Sequence, residues 1–371
     1  MQRPLTIVFS GGGTGGHLFP GIAVAEELIA RDSGYRIVFA GSQREVEHDI
    51  VASHGYEHWA LPVESSSSLF RSPHRVAWKL WRSYRVAGSL LRRERPACVV
   101  GLGGFASVPV ALAARRLGIP IVLLEQNVVP GRATSLLSRL ATSVCFSFPE
   151  TTGTLATRPN ARVTGNPVRR SIAALTNTST DLSESSPPTL LILGGSQGAI
   201  AVNDATFAAA RNLSIPLAGW RIVHQTGRQD AERVRRCYDE LRIDAIVEPF
   251  FTDLVDWLRS ASVVVSRAGA TTLAELACAG CPTVLIPYPG SIGDHQRANA
   301  RVFAAAGAAR IVEQADSVHE TAAALARQLQ PLLVDATLRE SMSIAMRALA
   351  RPHAARAVAD CVVRVATVPL T

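Results

Sequence analysis

The chain has 371 residues, 47% of them hydrophobic, which is more apolar material than one ordinary core holds and enough for two. Its formal net charge is +8, yet Lys79 is the only lysine among 38 basic residues, so the excess reads as an arginine-rich composition and names no partner by itself. No apolar run reaches the roughly 18 to 20 residues that span a bilayer, and MQRPLTIVFS enters a strand where a signal peptide would carry its apolar stretch, so a cytoplasmic chain is expected.

The first element, LTIVFS, is a β-branched strand that empties into GGGTGGH and an amphipathic helix expected to open near Pro20. Glycines at a strand-to-helix turn let backbone N–H groups approach an anion at the positive end of the helix, so phosphate binding is the least this turn implies. Gly11, Gly13 and Gly16 satisfy the G-x-G-x-x-G pattern of dinucleotide folds, which admits an NAD-dependent or flavin oxidoreductase. Two features count against it. The next strand, YRIVFAG, ends in Ala40, Gly41 and Ser42, and Glu45 comes late for the acid that holds an adenosine ribose. His17, between the glycines and the helix, crowds the place of a pyrophosphate and has no part in hydride transfer, so it suggests acid–base chemistry.

From Arg71 to Arg95 the chain carries Arg71, Arg75, Lys79, Arg82, Arg85, Arg92, Arg93 and Arg95 against Glu94 alone, with Phe70, Trp78 and Trp81 interleaved. A basic, tryptophan-bearing amphipathic segment suits an anionic membrane surface, where aromatic side chains anchor at the headgroups. The plainer alternative is a solvated arginine face on a helix whose Val76, Leu80, Tyr84, Ala87 and Leu91 turn to a core. Nucleic acid is disfavoured, because no motif for it accompanies the charge.

ACVVGLG, IPIVLLEQ and TSVCFSF complete the strands of the first half, and TLLILGG, WRIVHQT, DAIVEPF, SVVVSRAG and PTVLIPYP supply those of the second, with alanine-rich helices between them. Each half therefore reads as βαβ units around a doubly wound parallel sheet, α/β in class, with the strand carboxyl ends of the two domains expected on either side of one cleft. Ser, Thr and Pro crowd between Thr176 and Pro188, the expected linker. The expected domains are residues 1–166 and 167–345, with 346–371 a C-terminal helix packing back on the first.

In SVVVSRAGATTLAEL the strand runs into Arg267, Ala268, Gly269 and Ala270, and a helix begins near Thr271. Thr271 and Thr272 fall in its first turn, where hydroxyls and free N–H groups can bind phosphate oxygens. Glu275, one turn further in, either accepts hydrogen bonds from a ribose diol or only favours the helix dipole. Cys278 and Cys281 have C-x-x-C spacing but no second pair, so they are expected to be buried, reduced and structural.

GGGTGGHLFPGIAVAEEL, GLGGFASVP, LLEQN, GNPVR, GGSQGA, SRAGATTLAEL and DHQRANA follow in this order between residues 11 and 300. The set resembles that of the MurG family of bacterial peptidoglycan glycosyltransferases. That resemblance implies a GT-B fold of two Rossmann-like domains, no metal or other cofactor, and transfer of N-acetylglucosamine from UDP-N-acetylglucosamine (UDP-GlcNAc) to lipid I with inversion, giving lipid II. It makes His17 the general base for the acceptor's 4-hydroxyl. It sets Thr14, Gly15 and Gly16 against donor sugar and phosphates, and Asn127 and Gln296 on the donor sugar. Arg169 and Ser196 meet the uridine diphosphate, Phe251 marks the backbone that reads uracil, and Ala270, Thr271, Thr272 and Glu275 bind diphosphate and ribose. Gly103 and Gly104 face the acceptor diphosphate, although Val108 fills a place the family usually gives to a small residue. Phe70, Arg75, Trp78, Lys79, Trp81, Arg82 and Arg85 become a membrane-docking segment on the cytoplasmic face of the inner membrane, and other proteins of wall synthesis become partners. A UDP-sugar epimerase of the same two-domain type is the nearer alternative.

Overall fold

The structure, a computed structural model, describes residues 4–12, 15–63, 73–155, 157–177, 187–195, 198–213, 217–251 and 253–367. Thr14, Phe70, Ser196 and the rest of residues 64–72 lie outside the described residues. The chain forms two compact units, one of Met1–Arg169 with His353–Thr371 and one of Arg170–Pro352. It thus crosses between them a few residues later, each time, than the 166/167 and 345/346 boundaries read from sequence.

The first unit holds β1 (Leu5–Gly11), β2 (Tyr35–Gly41), β3 (Glu57–Ala60), β4 (Cys98–Gly103), β5 (Ile121–Glu125), β6 (Ser143–Phe146) and β7 (Ala161–Val163). They form one parallel sheet in the order β3-β2-β1-β4-β5-β6-β7. The inner strands are apolar without alternation because both faces are covered. Successive side chains point to opposite faces, so Ile7, Phe9, Val100 and Val122 enter one core while Val8, Val99, Leu123 and Val144 enter the other. Helices Gly15–Arg31 and Ala354–Thr367 close the first core, and Pro73–Glu94 and Ser107–Arg116 close the second. Asp360 of the C-terminal helix pairs with Arg31 at 2.7 Å, tying the returning chain to the helix after β1.

The second unit holds β8 (Thr189–Leu193), β9 (Arg221–Gln225), β10 (Ala245–Glu248), β11 (Ala261–Ser266), β12 (Thr283–Leu285) and β13 (Ala309–Ile311), again parallel, in the order β10-β9-β8-β11-β12-β13. In each sheet the chain reverses its direction of winding beside the first strand, between β1 and β4 and between β8 and β11. Ligands of open α/β sheets bind outside the strand carboxyl ends at such switch points.

A buried polar network joins β9 to the helices Ile200–Asn212 and Ala231–Glu240. His224 is fully buried, with Nε2 3.0 Å from Asn203 Oδ1 and Nδ1 3.0 Å from the Tyr238 hydroxyl. Asn203 spends its amide protons on the Thr226 carbonyl and on Asp230. Its Oδ1 therefore accepts from His224, which fixes the proton on Nε2 and leaves Nδ1 to accept from Tyr238. Burial pushes the imidazole from 6.5 down to about 3. The unfolded chain takes up a proton below about pH 6.5 that the folded unit refuses until about pH 3. The stability this group contributes is whole at neutral pH and falls by up to about 1.4 kcal/mol per unit as pH drops through that window. Unfolding measured from pH 7 to 4 is expected to show this loss, reduced in His224→Gln; the same slope in both proteins would contradict it.

Candidate active site

In the first unit the helix after β1 begins at Gly15, five residues before the start expected from Pro20, so His17 lies in its first turn. Its half-buried ring packs on the turn after β4: a Cβ at Gly103 would lie 3.2 Å from His17 Cδ2, 3.5 Å from Nε2 and 3.7 Å from Gln126 Oε1. Gly103 and Gly104 have φ of +92° and +75°, which side-chain-bearing residues rarely adopt. Gly104 also comes so close to the Gly12 carbonyl that a Cβ would sit 2.9 Å from it. The two glycine turns are thus stacked backbone to backbone with the imidazole at their junction. Gln126 holds its place by donating from Nε2 to the Leu102 carbonyl at 3.0 Å.

Asn127 stands at the end of β5 beside this junction, and its position depends on a carboxylate. Glu125, 3% exposed, accepts from the Asn127 backbone N–H at 3.0 Å, the Asn127 side-chain amide at 3.3 Å and the Gly131 N–H at 2.9 Å. Burial pushes its carboxyl up, against the pull of these donors. A second buried carboxylate props the first turn: Glu47 accepts from the Ser42 N–H at 2.8 Å and the Ser42 hydroxyl at 2.6 Å, and it leaves no room for a Cβ at Gly12 or Gly41. Arg169 closes the first unit, rather than belonging to the second domain as its expected boundary implied, and its guanidinium lies 5.4 Å over the Phe19 ring, two residues beyond His17. Val108 sits in the first turn of the helix Ser107–Arg116.

In the second unit the helix Ala270–Ala279 starts at the carboxyl end of β11 with Gly269 as its N-cap. Ala270, Thr271 and Thr272 form its first turn, where backbone N–H groups lack helical partners. Thr271 and Glu275 are buried on the same element. Arg267 donates to the Ile286 carbonyl at 3.0 Å and stacks on Tyr288, and its burial lowers the guanidinium's affinity for its proton. Tyr288 N–H in turn donates to Gln296 Oε1 at 3.0 Å, which brings Gln296 to the same end of the sheet. Phe251 is buried, and its N–H donates to the Gln225 side chain at 3.2 Å. Cys278 and Cys281 are buried free thiols that burial pushes up, Cys281 to about 12. Among the described residues no His, Cys, Asp and Glu cluster could hold a metal ion.

Comparison with known proteins separates the readings this geometry permits. Residues 7–146 match the glycosyltransferase family 28 N-terminal domain and residues 189–358 its C-terminal domain. The UDP-N-acetylglucosamine–N-acetylmuramyl-(pentapeptide) pyrophosphoryl-undecaprenol N-acetylglucosamine transferase of Xanthomonas campestris pv. campestris (strain 8004) is 40% identical over 368 residues, covering 98% of this chain and 82% of that protein. The chain belongs to the MurG family of family 28 glycosyltransferases. The crystal structure of Acinetobacter baumannii MurG covers 97% of this chain and 100% of its own, with a TM-score of 0.76 and 29% identity. A UDP-N-acetylglucosamine 2-epimerase described as putative, from Listeria monocytogenes, shares the fold at a TM-score of 0.67 over 96% of this chain and 95% of its own, but at 15% identity that likeness speaks for the fold alone. The fold is GT-B, and the dehydrogenase suggested by Gly11, Gly13 and Gly16 falls away with the family assignment.

Glu125, Gln126 and Glu47 are supporting residues not expected from the sequence. The first two were in view within LLEQN, where an acid ending an apolar strand is itself a signal. Glu47 carries none, because only folding brings residue 47 under a turn at residue 12.

Proposed function

We propose that this chain is an inverting hexosyltransferase that moves N-acetylglucosamine from UDP-GlcNAc to the 4-hydroxyl of the muramyl sugar of lipid I, forming lipid II. The observation that carries the reading is the imidazole of His17 in a helix's first turn, lodged between two glycine turns in a chain of this family. His17 takes the acceptor's hydroxyl proton while that oxygen bonds to the anomeric carbon. The bond from that carbon to the UDP oxygen breaks, and α becomes β. The first-turn N–H groups of Ala270–Ala279, the hydroxyls of Thr271 and Thr272, and Arg169 take up the charge gathering on the leaving diphosphate. Glu275 binds the ribose diol, Gln296 and Asn127 the sugar, and Gly103 and Gly104 present backbone to the acceptor diphosphate. Radiolabelled UDP-GlcNAc with a short-chain lipid I analogue tests this: label passing to the lipid fraction supports it, and label staying in water as a C2 epimer overturns it.

The acceptor carries a lipid, and among the described residues no helix is long and apolar enough to cross a membrane. The helix Pro73–Glu94 offers a way to meet it, at the cytoplasmic face of the inner membrane. Val76, Ser83, Ala87 and Leu91 bury one side, while Trp78 and Trp81 are 54% and 57% exposed on the other. Arg82 covers the Trp78 ring and Arg85 the Trp81 ring, each at 5.5 Å, so aromatic and basic groups alternate along one stripe. Arg75 is exposed at the start of this helix, and Lys79 lies between the two tryptophans. At about 1 kcal/mol per basic residue near an anionic surface, Arg82→Ala with Arg85→Ala is expected to weaken binding to anionic vesicles roughly 30-fold. Co-sedimentation measures it, and unchanged binding would remove this helix from membrane contact.

A further inference from the structure

The amino ends of β5, β6 and β7, opposite the end that holds His17 and Asn127, meet the C-terminal helix around a cavity of about 540 Å³. Arg115, Arg162 and Arg364 line it, with Ser143, Asn160 and Cys361. No carboxylate does, and among the described residues none of the three arginines forms an ion pair, so the cavity is a concentrated positive site. Cys361, on the helix Ala354–Thr367, shares one buried cluster with Cys145 on β6, the strand against which that helix packs, so the two thiols are neighbours. Only one of the pair opens on the cavity, since Cys361 lines it and Cys145 is buried behind.

We propose that Cys361 and Cys145 form a dithiol that small anionic disulfides, entering this arginine-lined cavity, oxidise to an intramolecular disulfide. The Cys361 thiolate attacks one sulfur of R–S–S–R and expels RS⁻, which takes up a proton. Cys145 then loses its proton and attacks the Cys361 sulfur of the mixed disulfide, expelling the second RS⁻, which is protonated in turn. Two protein thiols are oxidised to one disulfide, and one R–S–S–R is reduced to two RSH. The local charges fit these roles. Cys361 is the attacking group because it alone of the pair lines the cavity, where the neighbouring Cys145 thiol and the positive charges of Arg162 and Arg364 favour its thiolate. The neighbouring sulfur and burial push Cys145 up, and burial does the same to Cys98, Cys237, Cys278 and Cys281. The bond joins β6 to the C-terminal helix and closes a loop from 145 to 361 that contains the whole second unit.

The test uses the reduced full chain, incubated separately with glutathione disulfide, which is anionic, and cystamine, which is cationic. Alkylation of the remaining thiols and peptide mass mapping then follow the reaction. The expected product is a peptide pair linked through Cys145 and Cys361, formed about tenfold or more faster with glutathione disulfide, an advantage that shrinks in high salt. Cys145→Ser is expected to stop at glutathione bound to Cys361, and Cys361→Ser to leave residue 145 unmodified. Equal rates with the two disulfides, another cysteine reacting first, or a Cys361 that stays reduced would overturn the proposal.

Discussion

His17→Ala is expected to lower turnover by about a hundred- to ten-thousand-fold while leaving the affinity for UDP-GlcNAc within a few-fold of normal. The asymmetry follows from the assigned role. A general base acts on the acceptor's proton as the new bond forms, so its loss is felt in the transition state and little in the donor complex. The substitution should be well tolerated by the fold, because the half-buried ring rests against Gly103 and does not belong to a core cluster. Steady-state transfer with a lipid I analogue gives the first quantity, and titration with UDP-GlcNAc the second. If donor affinity fell as far as turnover did, His17 would belong to the donor pocket and not to the chemistry.

Glu275→Gln is expected to have the opposite signature. A carboxylate accepting both ribose hydroxyls makes two charge-assisted bonds, each worth about 1.5 to 3 kcal/mol, so weakening both should raise the Kd for UDP-GlcNAc roughly 100-fold or more. Glu275 is 7% exposed on the helix that begins at Gly269, and a glutamine fills the same volume. The role can be told from mere support of the helix by comparing UDP with its 2′-deoxy analogue. The wild-type chain should prefer UDP strongly and Glu275→Gln should not. A lowered Tm with an unchanged preference would assign Glu275 to the fold instead.

What could be read from the sequence divides along physical lines. The ten strands expected from apolar runs all form, and the three that were not expected, β3, β7 and β13, each lie at the edge of a sheet. An edge strand pairs on one side only and is partly exposed, as Glu57–Ala60 and Ala161–Val163 are, so it lacks the continuous apolar run that a central parallel strand needs. The helix start at Gly15 was misplaced because proline at the first helical turn is a common signal, whereas here Pro20 lies in the interior of the helix. The glycine turns and the helix after β11 were legible because a strand, a tight turn and a helix N-terminus each follow local sequence rules. Supporting groups followed no local rule. Glu47 beneath Gly12, Gln225 beside Phe251 and Phe19 beneath Arg169 are neighbours only after folding.

Val108 is the departure most open to misreading. It occupies the first turn of Ser107–Arg116 and is half-buried against the core beside the sheet, where the added methyl groups have a place. Gly103 and Gly104 keep their left-handed backbone regardless, so the close approach of the two turns survives the larger side chain.

The most direct measurement is a crystal structure with UDP and a short-chain lipid I analogue bound together. The account predicts a His17 ring nitrogen within about 3 Å of the muramyl 4-hydroxyl, with the diphosphate of UDP on the first-turn N–H groups of Ala270–Ala279. An imidazole turned away from that hydroxyl, with another side chain in its place, would contradict it.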